Sequence, residues 1–249
     1  MMRTLLIRGM LAGVAAAALA LMIAWIYGEP QVGHAISFEE SRAAAHEHGE
    51  EVVSRTVQKT TGLITAMVFY GVAVGGLFAI AFAFAYGRIG ALGARATAAL
   101  VALGGFVAIV GVPFLKYPPT PPAVGNPDTI GSRTALYFGM VALGVLATTA
   151  AVIVQRRLLP RLGTWNATIA ATAGFAVVVA VVYRFTPKPD AVADGFPATV
   201  LWDFRMASLG IQVVLWATLG LLFGALTERS LDQRTSTQSP HISPPGGTR

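Results

Sequence analysis

Three of the four histidines in the chain lie in one polar segment, residues 28–61, together with several carboxylates. Imidazole and carboxylate groups bind divalent cations such as Co²⁺, Ni²⁺ and Zn²⁺. If this segment is helical, His46 and Glu50 lie one turn apart, and Glu39 lies two turns before His46 on the same face. The spacing therefore predicts a metal site formed by Glu39, His46 and Glu50, with His34 joining from the preceding loop.

The same segment has a second interpretation that needs no metal. An exposed helix stabilised by charge pairs four residues apart, such as Glu51 and Arg55, would carry solvated histidines. Ser37 and Glu40 form a capping-box pattern, in which Ser37 caps the first turn and Glu40 reaches back to it. The pattern predicts an external amphipathic helix from about Phe38 to Lys59, with or without a bound ion.

A second group of polar residues opens the last apolar segment of the chain, at Asp194–Arg205. On a helix, Arg205, Ser208 and Gln212 lie on one face. Tryptophans extend this face by about one turn in each direction, at Trp202 and Trp216. Ionisable residues that enter a membrane span usually face protein or water and mark function, so this face is a candidate path.

The beginning of this last segment also has a purely structural interpretation. Asp194 is placed to cap the helix, and Pro197 suits its first turn. Arg205 would then anchor the helix at the membrane interface through a salt bridge to an acid such as Asp128 or Asp203. Both interpretations of Arg205 stay open at this point.

The stretch Phe114–Tyr137, called the proline loop below, joins two apolar segments. Its five prolines remove backbone donors and fix φ near −65°, which excludes a regular helix or a central strand. It is stiff where a flexible linker would be rich in Gly and Ser. We expect it to hold a shape at the membrane surface and, with the start of the last segment, to form an entrance. The residues expected to shape this entrance are Lys116, Tyr117, Asp128, Arg133, Trp202, Asp203 and Arg205.

The composition places the chain among integral membrane proteins. Of its 249 residues, 55% are apolar and 12% are charged, whereas soluble domains are about 25% charged. The absence of cysteine excludes disulfides, thiolate metal sites and a cysteine nucleophile. The arginines are scattered at the ends of apolar segments rather than gathered in a basic stripe, which argues against nucleic-acid binding.

Six apolar segments are long enough to cross a membrane, which takes about 20 helical residues. The sequence therefore predicts an all-α polytopic membrane protein with about six transmembrane helices and an external helix after the first. Residues 1–228 form a single helical domain in this prediction, and the polar tail 229–249 is expected to be disordered. The predicted spans are Leu5–Tyr27, Gly62–Tyr86, Ala96–Leu115, Thr134–Gln155, Trp165–Tyr183 and Val200–Thr227.

The charges predict an orientation for these spans. Arginines dominate the termini and the short loops on one side, so the positive-inside rule places both termini in the cytoplasm. Ten of the twelve acidic residues then fall on the external side. An acidic outer face would gather cations, although acids also collect wherever the rule does not select against them.

The sequence carries no catalytic pattern. It has no Walker lysine loop, no His-Glu-x-x-His motif and no serine nucleophile elbow, so we expect neither an enzyme nor the ATPase of a pump. Apart from Asp203, the predicted spans also lack Asp, Glu, Lys and His. A proton relay through the membrane normally needs such groups. Ion passage would therefore use hydroxyls, Gln212, backbone carbonyls or the ligands of a partner.

Several motifs together resemble the CbtA family of cobalt-transporter proteins. The resemblance covers roughly residues 1–227. Its most specific parts are the proline loop and the opening of the last span, where Phe196-Pro197-Ala198 is followed by Leu201-Trp202-x-Phe204-Arg205. The further matching motifs are Gly28-Glu29-Pro30, Arg55-x-x-Gln58-x-x-x-Gly62, Lys116-Tyr117-Pro118, Pro121-Pro122-Ala123-Val124-Gly125 and Arg133-Thr134.

The resemblance implies cobalt uptake linked to cobalamin synthesis. It also implies a small single-span partner, the second component of the family's transport system, whose histidine-rich tail is the more obvious cobalt site. Members of the family are usually described with five spans, one fewer than the apolar segments predict. Two functions follow as hypotheses: a cobalt permease subunit of the cytoplasmic membrane, or a non-transporting membrane scaffold that assembles with a small partner or as an oligomer. In either case we expect no cofactor, and Co²⁺ would be the cargo.

Overall fold

The computed structural model describes residues 2–43, 58–122, 124 and 127–238, and within these ranges it contains helices and no strand. Seven α-helices are numbered here in chain order: α1 (Met2–Ile23), α2 (Glu29–Ala43), α3 (Leu63–Ala85), α4 (Ala94–Gly105), α5 (Val112–Lys116), α6 (Ile130–Phe185) and α7 (Ala198–Gln238). Wider π-helical turns occupy Ala24–Gly28, Gln58–Gly62 and Phe106–Gly111, and a 3₁₀ turn occupies Pro127–Thr129.

Five helical stretches in the described residues are long and apolar enough to cross a membrane. The predicted class, an all-α polytopic membrane protein, is therefore confirmed. The stretches are Met2–Ser41, Thr60–Ala85, Ala94–Lys116, Ile130–Phe185 and Ala198–Leu231.

The helix α6 folds back on itself, which bears on the number of crossings. Gly163 interrupts it with a non-helical backbone, φ 72° and ψ 171°, a conformation that a residue without Cβ adopts at little cost. Both ends of α6 meet the proline-loop end of the molecule: Thr129 bonds to Asp190, and Lys116 bonds to Tyr183. The two halves therefore form a hairpin. This geometry favours six crossings, although the count of six stays a prediction.

Four helices, α1, α3, α4 and α7, form what we call the four-helix body. The main buried cluster draws all its residues from these helices and the π turn after α4, and none from α6. Phe223 lies at its centre, with its ring edge-on to Phe78 at 5.2 Å and to Phe82 at 5.0 Å. Each such aromatic pair contributes about 0.5–1.5 kcal/mol beyond area burial.

Glycines bring α1 and α3 into backbone contact. Gly9 and Gly13 face Gly75 and Gly71, and a Cβ at any of these positions would overlap a carbonyl oxygen of the opposite helix. Small residues four apart allow this approach, and helices in lipid associate largely through such close packing. The first helix is thus built into the body.

The α6 hairpin lies beside the body. It packs against the π turn Phe106–Gly111 and α5. The tightest point of this seam is Gly144, where a Cβ would overlap the carbonyl oxygen of Ala108. Large apolar side chains on the hairpin remain exposed, including Trp165 at 77% and Phe185 at 82%, as suits surfaces that face lipid.

The predicted start of the external helix is wrong. The α1 helix passes through the π turn Ala24–Gly28 directly into α2, so Ser37 lies inside a helix rather than at its N-cap. The Ser37 hydroxyl donates to the carbonyl oxygen of Gly33, 3.1 Å away. This bond to the preceding turn competes with capping. Residues 44–57, most of the expected helix, lie outside the described residues.

The last helix begins where the sequence predicts and continues farther. Pro197 precedes α7, and its carbonyl oxygen accepts the backbone N–H of Leu201 at 3.2 Å. The helix continues to Gln238, beyond residue 228, where we expected a tail to begin. Residues 239–249 lie outside the described ranges, so the disordered tail stays a prediction.

Candidate functional site

At the proline-loop end, three separate segments converge on an apolar cluster. Ala35 of α2, Val124 of the proline loop, and Phe196 and Leu201 at the start of α7 are buried together. The Phe38 ring packs edge-on against Phe196 at 5.1 Å. The segments expected to form an entrance are therefore neighbours, and apolar contacts hold them together.

Lys116 fixes the proline loop to the end of the α6 hairpin. Its ammonium donates to the carbonyl oxygens of Tyr183, at 2.8 Å, and Thr186, at 3.3 Å. These carbonyls belong to the C-terminal end of a helix, where the helix dipole is negative and a cation is favourable. Lys116 therefore acts as a cap between two segments, a contact the sequence did not reveal.

Two tyrosine hydroxyls add to this junction. Tyr117 donates to the carbonyl oxygen of Pro187 at 2.8 Å. Tyr183 donates to the carbonyl oxygen of Val112 at the start of α5. Side-chain donors thus join carbonyl oxygens of two separate segments at this junction.

The carboxylate of Asp190 ties the two ends of the hairpin together. The Thr129 hydroxyl donates to Asp190 Oδ2, and Nη1 of Arg133 lies 3.9 Å from the same oxygen. Arg133 therefore has a carboxylate partner, and this pair has a structural role. Asp128 lies beside this pair, in the 3₁₀ turn that leads into α6.

The start of α7 meets the proline loop through Arg205. Its Nε donates to the carbonyl oxygen of Pro119 at 3.4 Å, so Arg205 anchors α7 to the proline loop through a backbone carbonyl. Trp202 is 61% exposed, and Asp203 is also exposed. The expected entrance residues lie at one end of the molecule, and their role as an entrance stays a prediction.

The predicted metal ligands are only partly within the described residues. His34 lies in α2 rather than in a loop, and both His34 and Glu39 are exposed. Five residues apart, they point about 140° away from each other around the helix. His46 and Glu50 lie outside the described residues. Among the described residues no three His, Cys, Asp or Glu side chains gather as a metal site, and the four-residue site stays a prediction.

The polar face of α7 leads from this end into the body. Below Arg205, the Ser208 hydroxyl bonds to the carbonyl oxygen of Phe204. Farther along, Oε1 of Gln212 and Nε1 of Trp216 are buried with no hydrogen-bond partner among the described residues. An unsatisfied buried polar atom costs about 1–3 kcal/mol. Gln212 lies near the midpoint of the predicted span Val200–Thr227. Its unsatisfied oxygen is therefore near the centre of the bilayer, where no water is at hand to pair with it.

Two π turns pack against α7 on either side of Gln212. The turn Ala24–Gly28 contacts α7 near Ile211, whose Cδ1 would lie 3.7 Å from a Cβ at Gly28. The turn Phe106–Gly111 follows Gly105, where a Cβ would overlap the indole of Trp216. π turns are rare and often occur at functional sites. Sequence analysis could not find them, because no residue pattern marks an extra residue in a turn.

A third buried polar atom lies across α4 from this face. Oγ1 of Thr148, in the first half of the hairpin, has no partner among the described residues. Its Cγ2 would lie 3.7 Å from a Cβ at Gly104, next to the glycine that meets Trp216. The middle of the molecule therefore presents neutral oxygen and nitrogen atoms. Such groups can bind water or a hydrated ion weakly.

Comparison with known proteins supplies the family. The chain matches the family model CbtA, described as a probable cobalt transporter subunit, over residues 2–228. No curated protein and no solved structure matches it significantly. The match spans the α-helical body, the hairpin and the proline loop, and thus the whole membrane region described above. The chain therefore belongs to the CbtA family of probable cobalt transporter subunits.

Proposed function

We propose that this chain is the permease subunit of a cobalt uptake system in the cytoplasmic membrane, supplying cobalamin synthesis. The family match over residues 2–228 carries the proposal. The family description implies an assembly of several components, and we include the small single-span partner with its histidine-rich tail. The arginines at the end that holds the N-terminus, Arg8, Arg88 and Arg95, support a cytoplasmic location for both termini.

The route that we propose follows the polar face of α7. Cobalt would arrive at the proline-loop end, near a weak collecting site formed by Glu39, His46 and Glu50. It would then pass Gln212 between the two π turns. A carboxamide oxygen is a poor ligand for Co²⁺ compared with imidazole. Weak binding suits passage, because an ion must leave each site as readily as it enters.

Uptake of radiolabelled cobalt tests this route. Cells expressing the chain with its partner should accumulate cobalt, and Gln212→Leu should lower the initial rate by about tenfold, the factor for 1.4 kcal/mol. Gln155→Leu is the matched control, since Gln155 lies in the hairpin away from α7. Absence of uptake by the wild-type chain, with and without the partner, would end the proposal. Equal rates for the two variants would remove the route along α7.

A non-transporting scaffold is the second candidate, and the contacts of the proline loop favour it. The polar groups of Lys116, Tyr117 and Arg205 donate hydrogen bonds to carbonyl oxygens of other segments, and these bonds join the segments. The charge of Arg205 also opposes a cation at the head of the polar face. Alanine at Lys116 or Arg205 separates the candidates. Lower abundance with unchanged uptake per molecule favours the scaffold, whereas lower uptake at equal abundance favours the permease.

A further inference from the structure

A second feature lies at the opposite end of the body from the proline loop. A cavity of about 210 Å³ opens between the first turns of α1, the end of α3 and α7. One water needs roughly 10–15 Å³, so the space is large enough for a molecular group. Leu5, Phe82, Ala83 and Leu231 form apolar walls, and Arg8 and Thr227 are among the polar residues that line it.

Arg8 has no acidic partner among the described residues, whereas Arg95 has one. Nη1 of Arg8 donates to the Ser230 hydroxyl, and no carboxylate of the described residues pairs with it within 4.0 Å. Arg95 pairs with Glu228. Arg88 donates to carbonyl oxygens at the end of α3. A guanidinium in a mostly apolar cavity keeps a positive charge and several donors available to an anion.

Thr227 supplies an independent sign of a ligand. It is 3% exposed, lines the cavity, and its Oγ1 has no hydrogen-bond partner among the described residues. Buried hydroxyls are nearly always paired, and an unpaired one calls for an explanation. The Ser230 hydroxyl, which accepts from Arg8, itself donates to the carbonyl oxygen of Thr227. The first turn of α1 adds unpaired backbone donors and the positive end of a helix dipole.

We propose that this cavity binds the phosphate of an anionic phospholipid, with Arg8 and Thr227 as its principal donors. The donors select a phosphoryl oxygen, and the apolar walls select a lipid over a free phosphate, because they offer a place for an acyl chain. The location at the ends of three membrane helices puts the cavity at headgroup depth. This site is distinct from the polar face of α7 near Gln212, and it does not depend on cobalt transport.

Native mass spectrometry of the delipidated full-length protein tests the site, with phosphatidylglycerol, phosphatidylcholine and inorganic phosphate as probes. Wild type should retain phosphatidylglycerol at least about tenfold more tightly than phosphatidylcholine, and Arg8→Gln should abolish this preference. Arg3→Gln is the matched control, since it removes the same charge from an exposed position on the same helix. It should bind like wild type.

Thr227→Val keeps the shape and removes only the hydroxyl. Because this hydroxyl has no partner among the described residues, the variant should melt no lower than wild type without lipid, yet gain a smaller thermal shift from phosphatidylglycerol. Equal lipid selectivity in Arg8→Gln and Arg3→Gln would overturn the proposal. Displacement of the lipid by millimolar inorganic phosphate would overturn it too, since the site would then bind a free anion. A normal lipid-induced shift in Thr227→Val would count against the hydroxyl as a donor.

Discussion

The four-helix body and the α6 hairpin differ in how closely their helices pack against the rest of the molecule. In the most apolar part of α6, 17% of residues are buried, against 22% in the stretch that contains α3 and 33% in each of the stretches that contain α1, α4 and α7. The body places glycine backbones directly against each other, at Gly13 and Gly71 for example. Among the described glycines the hairpin has one comparable point, Gly144 on Ala108, and it is also held by packing on the π turn Phe106–Gly111 and α5 and by polar contacts at the proline-loop end.

This difference indicates which part of the molecule can move. Lipid tails are as apolar as Leu side chains, so association in a membrane rests on close packing and hydrogen bonds rather than on the hydrophobic effect. The body has extensive close packing and should behave as one rigid unit. The hairpin has little, so small changes at its few contacts should alter its position without unfolding the body.

The largest effect is expected at the α1–α3 seam. Gly13→Ala places a Cβ on the carbonyl oxygen of Gly71. Neither backbone can yield, so we expect a loss of about 3 kcal/mol or most of the folded protein. Gly174→Ala in the hairpin is the control: nothing lies within 4 Å of its Cβ position, and better helix propensity should leave it neutral or up to about 1 kcal/mol more stable. Thermal melting monitored by size-exclusion chromatography measures both, and equal melting temperatures would refute the contrast.

The hairpin seam should be less sensitive to the same kind of change. Gly144→Ala creates an overlap with the Ala108 carbonyl, but the hairpin can shift outward into lipid. We expect a loss of about 1–2 kcal/mol. Cross-linking between α6 and the third stretch, Ala94–Lys116, should decrease while the α1–α3 pair cross-links as before. A collapse as severe as that of Gly13→Ala would show that the hairpin is part of the rigid unit.

Lys116→Met should loosen the proline-loop end of the hairpin. It removes the charged donor from the carbonyls of Tyr183 and Thr186, and we expect a loss of about 1 kcal/mol after allowance for solvent. Amide hydrogen exchange should accelerate near residues 179–186 and stay unchanged in α3. Lys188→Met, at an exposed position nearby, serves as the control. Uniform acceleration in both variants would contradict a specific cap.

The smallest effects are expected from two partly exposed ion pairs in the part of the chain that the structure describes. Arg133 lies 3.9 Å from Asp190 on the hairpin, and Arg95 pairs with Glu228 on the body. Exposed pairs contribute about 0–1 kcal/mol and weaken with salt. Arg133→Gln and Arg95→Gln should each lower stability by less than about 1 kcal/mol at low salt and by less at high salt. A larger, salt-independent loss for Arg133→Gln would make that pair a main anchor of the hairpin.

The helical class and the apolar segments could be predicted from the sequence, because an apolar segment of about 20 residues can satisfy all its backbone groups in a membrane by forming a helix. The residues that join segments at the proline-loop end could be located from the sequence, but their bonding partners could not be predicted. Lys116 and Arg205 were expected near an entrance, yet both bond to carbonyl oxygens of residues 67 and 86 positions away. Every residue has a backbone carbonyl, so the residue type does not show which carbonyl will be the acceptor.

Other features depended on tertiary context. The capping-box pattern at Ser37 is a local signal, and continuation of α1 through a π turn overrode it. Helical spacing places Arg205, Ser208 and Gln212 on one face of α7, and the use of this polar face as a path stays a prediction. Its unpaired atoms at Gln212 and Trp216 could not be predicted, because most polar side chains in spans find a partner. Thr227 was missed for the same reason.

The position of α7 has a consequence for how the protein is made. The last helix packs against both α1 and α4 and brings Phe223 to the centre of the main core. Until the ribosome has released residues from Ala198 onward, the inner surfaces of the earlier helices face lipid. The hairpin precedes α7 in the chain, so it is made before α7 and must leave the position of α7 unoccupied. Its sparse contacts with the body permit this. A chain cut short before α7 would therefore lose its centre rather than its edge.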